Sequence, residues 1–183
     1  WSDRSTAILF ADGAGAVVMT RTESNSIGIL NSQLHSEGKH AKELSLIGPS
    51  TGRWVPEIMK ENNPEDISYY PFMNGQFVFK NAVVRFTEVI NAGLKKVGWK
   101  PNEIDMLIPH QANLRIAEFV QKKFGLSDNQ VYNNIQRYGN TTAASIPIAL
   151  TEAWEEGKIE KGNKVVLAAF GSGFTWGSIM IQW

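Results

Sequence analysis

Two short apolar runs open the chain, Ala7-Ile8-Leu9-Phe10-Ala11 and Ala16-Val17-Val18-Met19, with the turn signal Asp12-Gly13 between them. They predict paired strands in a hairpin over residues 5 to 21. Ile27 to Leu34 alternates well enough for a third strand. The pattern then breaks. Residues 36 to 70 hold Gly38, Gly48, Pro49, Gly52, Pro56 and Pro64 among charges, which predicts a long surface excursion serving as a lid, an interface or a simple insertion. From Asn74 the period becomes helical. Phe79, Val83, Phe86, Val89, Ile90 and Leu94 share one face, and Gly98 marks the stop. A short strand at 105–108 precedes a helix over 112–124 that Gly125 ends. A further strand is expected over Val131 to Ile135, and a third helix over 143–156 with Thr141 or Thr142 as its cap. Lys164 to Phe170 and Phe174 to Gln182 read as strands joined by the tight turn Gly171-Ser172-Gly173. This alternation predicts an α/β fold, a mixed sheet covered by helices. Residues 1–35 supply strands and little helix, as the tail of a preceding unit would; 36–72 form a connecting segment, and 73–183 the main domain.

Composition narrows the function. Hydrophobic residues make up 43% and charged residues 20% of 183, the balance of a globular chain. Eighteen basic residues offset eighteen acidic ones, which argues against a nucleic-acid binder held by phosphate contacts. The absence of cysteine excludes disulfides, zinc–thiolate sites and thiol catalysis within this chain, and suits a reducing compartment. The opening residues lack the build of a signal peptide, and no apolar run approaches the roughly 18 residues that span a bilayer. A cytoplasmic chain without membrane or nucleic-acid partners is therefore expected.

Three C-terminal motifs carry candidate chemistry. His110 follows a predicted strand and precedes a helix, where open α/β sheets bind ligands. A neutral imidazole there donates one hydrogen bond to a developing oxyanion; the competing reading is a structural histidine bonded to backbone. Asn140 stands between Gly139 and a helix, where a strained junction aims an amide into a cavity or where Asn simply caps the helix. The Asn140-Thr141-Thr142 sequon is discounted, since nothing marks the chain as secreted. In Gly171-Ser172-Gly173, small residues let backbone N–H groups face a ligand, or merely turn a hairpin. A strand and not a helix follows, so this is no dinucleotide fingerprint, and Gly13-Ala14-Gly15 fails the same test. On the helix over 112–124, Ile116, Ala117, Val120 and Phe124 form the inward stripe. Arg115 and Lys122 project on the other side, as a solvated face or as a landing site for a phosphate or an acidic partner.

Taken together, Leu9-Phe10-Ala11-Asp12-Gly13-Ala14-Gly15-Ala16-Val17-Val18, Gly75-Gln76-Phe77-Val78-Phe79-Lys80, Pro109-His110-Gln111-Ala112-Asn113-Leu114-Arg115-Ile116, Gly139-Asn140-Thr141-Thr142-Ala143-Ala144-Ser145 and Phe170-Gly171-Ser172-Gly173-Phe174-Thr175-Trp176-Gly177-Ser178 resemble β-ketoacyl-acyl carrier protein synthase III of the thiolase superfamily. The order and spacing of these motifs are specific, although each is weak alone. The resemblance implies a thiolase-like C-terminal half over 73–183, preceded by the last strands of the first half. It implies decarboxylative condensation of an acyl-CoA with malonyl-acyl carrier protein by a Cys-His-Asn triad. His110 and Asn140 match the His and Asn. Ser172 and Gly173 match the oxyanion turn, where the family often has Gly in place of Ser172. Lys80 and Arg115 match basic positions at the mouth of the substrate channel, and Lys122 and Lys123 match a patch that meets the acidic carrier protein. No cofactor or metal is implied; CoA and phosphopantetheine thioesters are substrates, and the parent enzyme is a homodimer. The family's cysteine lies upstream of these motifs, so this chain alone is expected to be inactive. The alternatives are a non-catalytic partner subunit or carrier-binding module, and an unrelated enzyme using His110 as general base, which lacks a Gly-x-Ser-x-Gly nucleophile motif.

Overall fold

In the computed structural model, residues 4–46 and 70–183 are described. Their framework is a four-stranded mixed sheet in the order β1-β6-β5-β4. It comprises β1 (Gly28–Ser36), β4 (Met106–Pro109), β5 (Lys164–Gly171) and β6 (Thr175–Gln182). β4 and β5 run parallel, while β6 is antiparallel to both β5 and β1. A two-stranded ribbon, β2 (Leu44–Ser45) with β3 (Phe72–Met73), stands apart from it.

Alternation along the central strands explains the layers. Leu107, Val166, Ala168, Phe170 and Met180 face one way, into a core completed by Phe86, Val89 and Ile90 of α2 (Gly75–Val97) and Ile116 and Val120 of α3 (Leu114–Phe124). Met106, Ile108, Val165 and Leu167 face the opposite way, against Ala149 and Ala153 of α5 (Ser145–Glu155). Helices on both faces leave no polar side to these strands, so they read as continuous apolar runs. The helix ends follow the sequence signals. Asn74 caps α2 by accepting the Phe77 N–H, and Gly98 and Gly125 close α2 and α3 in left-handed conformations at φ 73° and 66°.

The sheet, its order of elements and both long helices match expectation, and three local readings need correction. The hairpin over 5–21 does not form. Residues 4–7 make the short helix α1 (Arg4–Ala7), Phe10 makes one parallel bridge to Asn140, and residues 11–20 carry no strand. The apolar runs have β-propensity, but a strand needs a neighbour to receive its hydrogen bonds, and only Asn140 provides one among the described residues. The strand over 131–135 contracts to one bridge between Val131 and Leu107, followed by α4 (Ile135–Tyr138). The Gln111 side chain takes the Asn134 and Ile135 N–H groups that a ladder would have used. Neither Thr141 nor Thr142 caps the third helix. A 3₁₀ turn over Thr142–Ala144 leads into α5, and the side chain that caps it is that of Asn140. Of the excursion over 36–70, Gly38–His40 form a 3₁₀ turn; residues 47–69 lie outside the described residues.

Candidate active site

His110 extends the end of β4 by one residue. Its N–H donates to the Ala168 carbonyl on β5 at 2.8 Å, so the imidazole leaves the carboxyl edge of two parallel strands. Its Nδ1 lies 2.6 Å from the Ser145 hydroxyl oxygen, at the first residue of α5. Burial disfavours the charged ring and lowers its pKa from 6.5 to about 4. The ring is therefore neutral at neutral pH. Nε2 makes no hydrogen bond among the described residues and is not among their buried unpaired atoms, so it retains an accessible face. The partner is a side-chain hydroxyl and not backbone, which the competing structural reading had supposed.

Asn140 is held from both sides. Its N–H donates to Leu9 O at 2.8 Å, and its carbonyl accepts the Ala11 N–H at 2.9 Å. Its Oδ1 accepts the Thr142 N–H at 2.9 Å. Asn140 thus does cap the next turn, and because the cap occupies Oδ1, the amide Nδ2 is left as a donor. The backbone around it is tight. Gly139 has φ 68°, and a side chain there would sit 3.0 Å from Leu9 O. Thr142 takes φ 52°, a costly region for a β-branched residue and the kind of outlier that collects at functional sites. Gly15 serves the same fit, since a Cβ there would stand 2.3 Å from Pro147 Cβ.

Two residues that sequence reasoning missed build the loop between the motifs. Gln111, 3% exposed, donates from Nε2 to Pro109 O and Tyr132 O and accepts the Asn134 and Ile135 N–H groups, so every polar valence of its amide is used. Glu152 of α5 gathers Asn134 Nδ2 at 2.7 Å, Arg137 at 2.6 Å and the Tyr138 hydroxyl. These bonds hold its carboxyl below the ordinary range, although burial opposes them as the largest single influence. Ser145 closes the Gly139–Ser145 motif, and its contact with a histidine 35 residues away has no local signal.

The glycine turn lies at the end of β5, the strand whose Ala168 carbonyl receives the His110 N–H. Gly171 pairs with Thr175, Ser172 is exposed, and Gly173 has φ 130°. The Thr175 hydroxyl donates to Ser172 O at 2.8 Å. Glu37 and Phe174 exchange both backbone hydrogen bonds, at 2.7 and 2.9 Å, and the buried Phe174 ring packs on Phe170. The turn is thus braced from the loop after β1. Lys80 in α2 and Arg115, Lys122 and Lys123 in α3 are all exposed, and none forms an ion pair among the described residues. Arg115 opens α3 just after the His110 turn, while Lys122 and Lys123 lie in its last turn.

Two family models match the chain: 3-oxoacyl-[acyl-carrier-protein] synthase III over residues 1–38, and the C-terminal region of the same synthase over residues 94–183. The chain belongs to the 3-oxoacyl-[acyl-carrier-protein] synthase III family. Among members of this synthase III family, that of Caldanaerobacter subterraneus is 45% identical over 185 residues and that of Brucella anthropi 40% over 188; each match takes in 100% of this chain and 54% of the relative. The solved synthase III of Aquifex aeolicus superposes with a TM-score of 0.85 at 41% identity, covering 99% of this chain and 52% of that one. That of Pseudomonas aeruginosa gives 0.85 at 36%, covering 100% and 53%. The chain therefore spans about half the length of the synthase III relatives it matches. Their likeness shows the thiolase-like α/β fold. Among the described residues, no helix is long and apolar enough to cross a membrane.

Proposed function

We propose that this chain is the C-terminal portion of a cytoplasmic, homodimeric condensing enzyme that joins an acyl-CoA starter to malonyl-acyl carrier protein in fatty acid synthesis. The thiol that carries the starter comes from outside this chain, which has no cysteine. His110 Nε2–H and Asn140 Nδ2–H donate to the malonyl thioester oxygen. As the carboxylate leaves as CO2, the electron pair of the broken C–C bond becomes the thioester enolate, and the two donors stabilise its charge more than that of the ground-state carbonyl. The enolate carbon then attacks the acyl thioester, a C–C bond forms and the thiolate is expelled. Backbone N–H groups at Ser172 and Gly173 face the second oxyanion. Lys80 and Arg115 meet the phosphate of the phosphopantetheine arm, and Lys122 and Lys123 meet the acidic carrier protein. No cofactor or metal takes part.

The observation that carries this reading is the state of the two side chains. In each, one polar end is tied inward, Nδ1 to Ser145 and Oδ1 to the Thr142 N–H, and the other end, Nε2 or Nδ2, makes no hydrogen bond among the described residues. A condensation assay with acyl-CoA and malonyl carrier protein tests it. The chain alone yields no 3-oxoacyl product and takes up no denaturation-stable acyl label, since covalent transfer needs the thiol. A full-length synthase carrying this sequence yields the product. Condensation by the chain alone, or none by the full-length synthase, contradicts the proposal; the latter result favours a non-catalytic partner subunit.

A further inference from the structure

We propose that Ser145 is a positioning residue: its hydroxyl donates to His110 Nδ1 and so fixes the imidazole as the Nε2–H tautomer. The bonds around one oxygen decide the tautomer. Ser145 Oγ lies 2.6 Å from His110 Nδ1 and accepts the Gln111 backbone N–H at 3.3 Å. A serine hydroxyl has a single proton to give and accepts through its lone pairs. The Gln111 N–H points at the oxygen and can only donate to it. The one proton of Ser145 is then free for the imidazole, and a neutral ring can receive it only at an unprotonated Nδ1. The ring proton must therefore sit on Nε2. The reverse arrangement, Nδ1–H donating to Ser145, would aim a second donor at the same oxygen and leave the hydroxyl proton to find another acceptor. Ser145 is 2% exposed, and its hydroxyl has no other partner among the described residues.

Both motifs build the placement. Ser145 opens α5 immediately after the turn that Asn140 caps, and Gln111 is locked by its own four side-chain bonds. The serine thus ties the histidine motif at the end of β4 to the asparagine motif before α5. The inference deepens the proposed function, which needs a donor at Nε2 and would fail with the other tautomer.

The test is the imidazole nitrogen signature of the chain labelled with ¹⁵N-histidine. Three histidines are present, and His35→Gln and His40→Gln assign the remaining pair of signals to His110. At neutral pH we expect a protonated Nε2 and an unprotonated Nδ1. In Ser145→Ala the preference for Nε2–H should fall roughly tenfold, the size of one net hydrogen bond. Ser145→Thr, which keeps the hydroxyl, should restore it. A protonated Nδ1 in the unsubstituted chain overturns the proposal, as does a Ser145→Ala chain that stays folded with its tautomer unchanged. If Ser145→Ala fails to fold, the unsubstituted and Ser145→Thr spectra still decide, because both must show Nε2–H. These spectra read the tautomer whether or not a synthase carrying this sequence condenses thioesters. An Nε2–H ring with no condensation would therefore fault the proposed function and leave the Ser145 assignment standing.

Discussion

A half-buried imidazole held neutral leaves a mark on stability. Unfolded, His110 takes up a proton as pH falls through 6.5; folded, it resists until about pH 4. Across that window the unfolded state binds more protons, so stability rises with pH and falls on acidification. A difference of this size is worth up to about 3 kcal/mol by the lower end of the window. His110→Gln removes the term. In urea unfolding across the window, the difference in stability between the two chains should shrink steadily on acidification. A constant difference would contradict a neutral ring in the folded state. His110 and Asn140 could be singled out from the sequence because the motifs that hold them are local and distinctive. Their partners were not. Ser145 and Gln111 act through contacts made only after β4, α5 and the 131–135 loop meet, and no periodicity records that meeting.

Among the elements, those that bury a full face were readable and those that depend on a distant partner were not. α2 and α3 show their apolar stripes and glycine stops in the sequence, and both form as expected. The 131–135 run has strand composition, yet Gln111 diverts it into a loop and a short helix. Gln111→Leu keeps the volume and removes all four side-chain bonds. It leaves the buried Asn134 and part-buried Ile135 N–H groups unpaired, which should cost about 2–4 kcal/mol. Amide exchange should accelerate from Val131 to Asn140 more than in β5 or β6. Uniform acceleration across the sheet would show that Gln111 supports the whole fold and not this loop.

At the level of the whole molecule, the central strands of the sheet are covered on both faces, but the edge strand β1 and the N-terminal segment are not. Val17, Val18 and Met19 are 64%, 91% and 72% exposed, and Ile8 is 74% exposed. Leu34 on the edge strand β1 is 89% exposed. Apolar surface of this kind, next to a strand edge with no partner among the described residues, favours association. The chain should show a concentration-dependent mass in light scattering over a dilution series. A monomer at all concentrations, with no binding of an apolar dye, would contradict this. Part of the same segment anchors Asn140 through Leu9 and Ala11, so the stretch read as a hairpin belongs to the site even though it forms none. In the proposed function, His110 and Asn140 stabilise the enolate of the malonyl thioester and are not needed to load the starter. CO2 release from malonyl carrier protein, measured alongside acyl loading in a full-length synthase carrying this sequence and in its His110→Ala and Asn140→Ala variants, separates the two roles. Each substitution should slow CO2 release by about 10²–10³ while loading persists. Release at the unsubstituted rate from either variant would contradict the account.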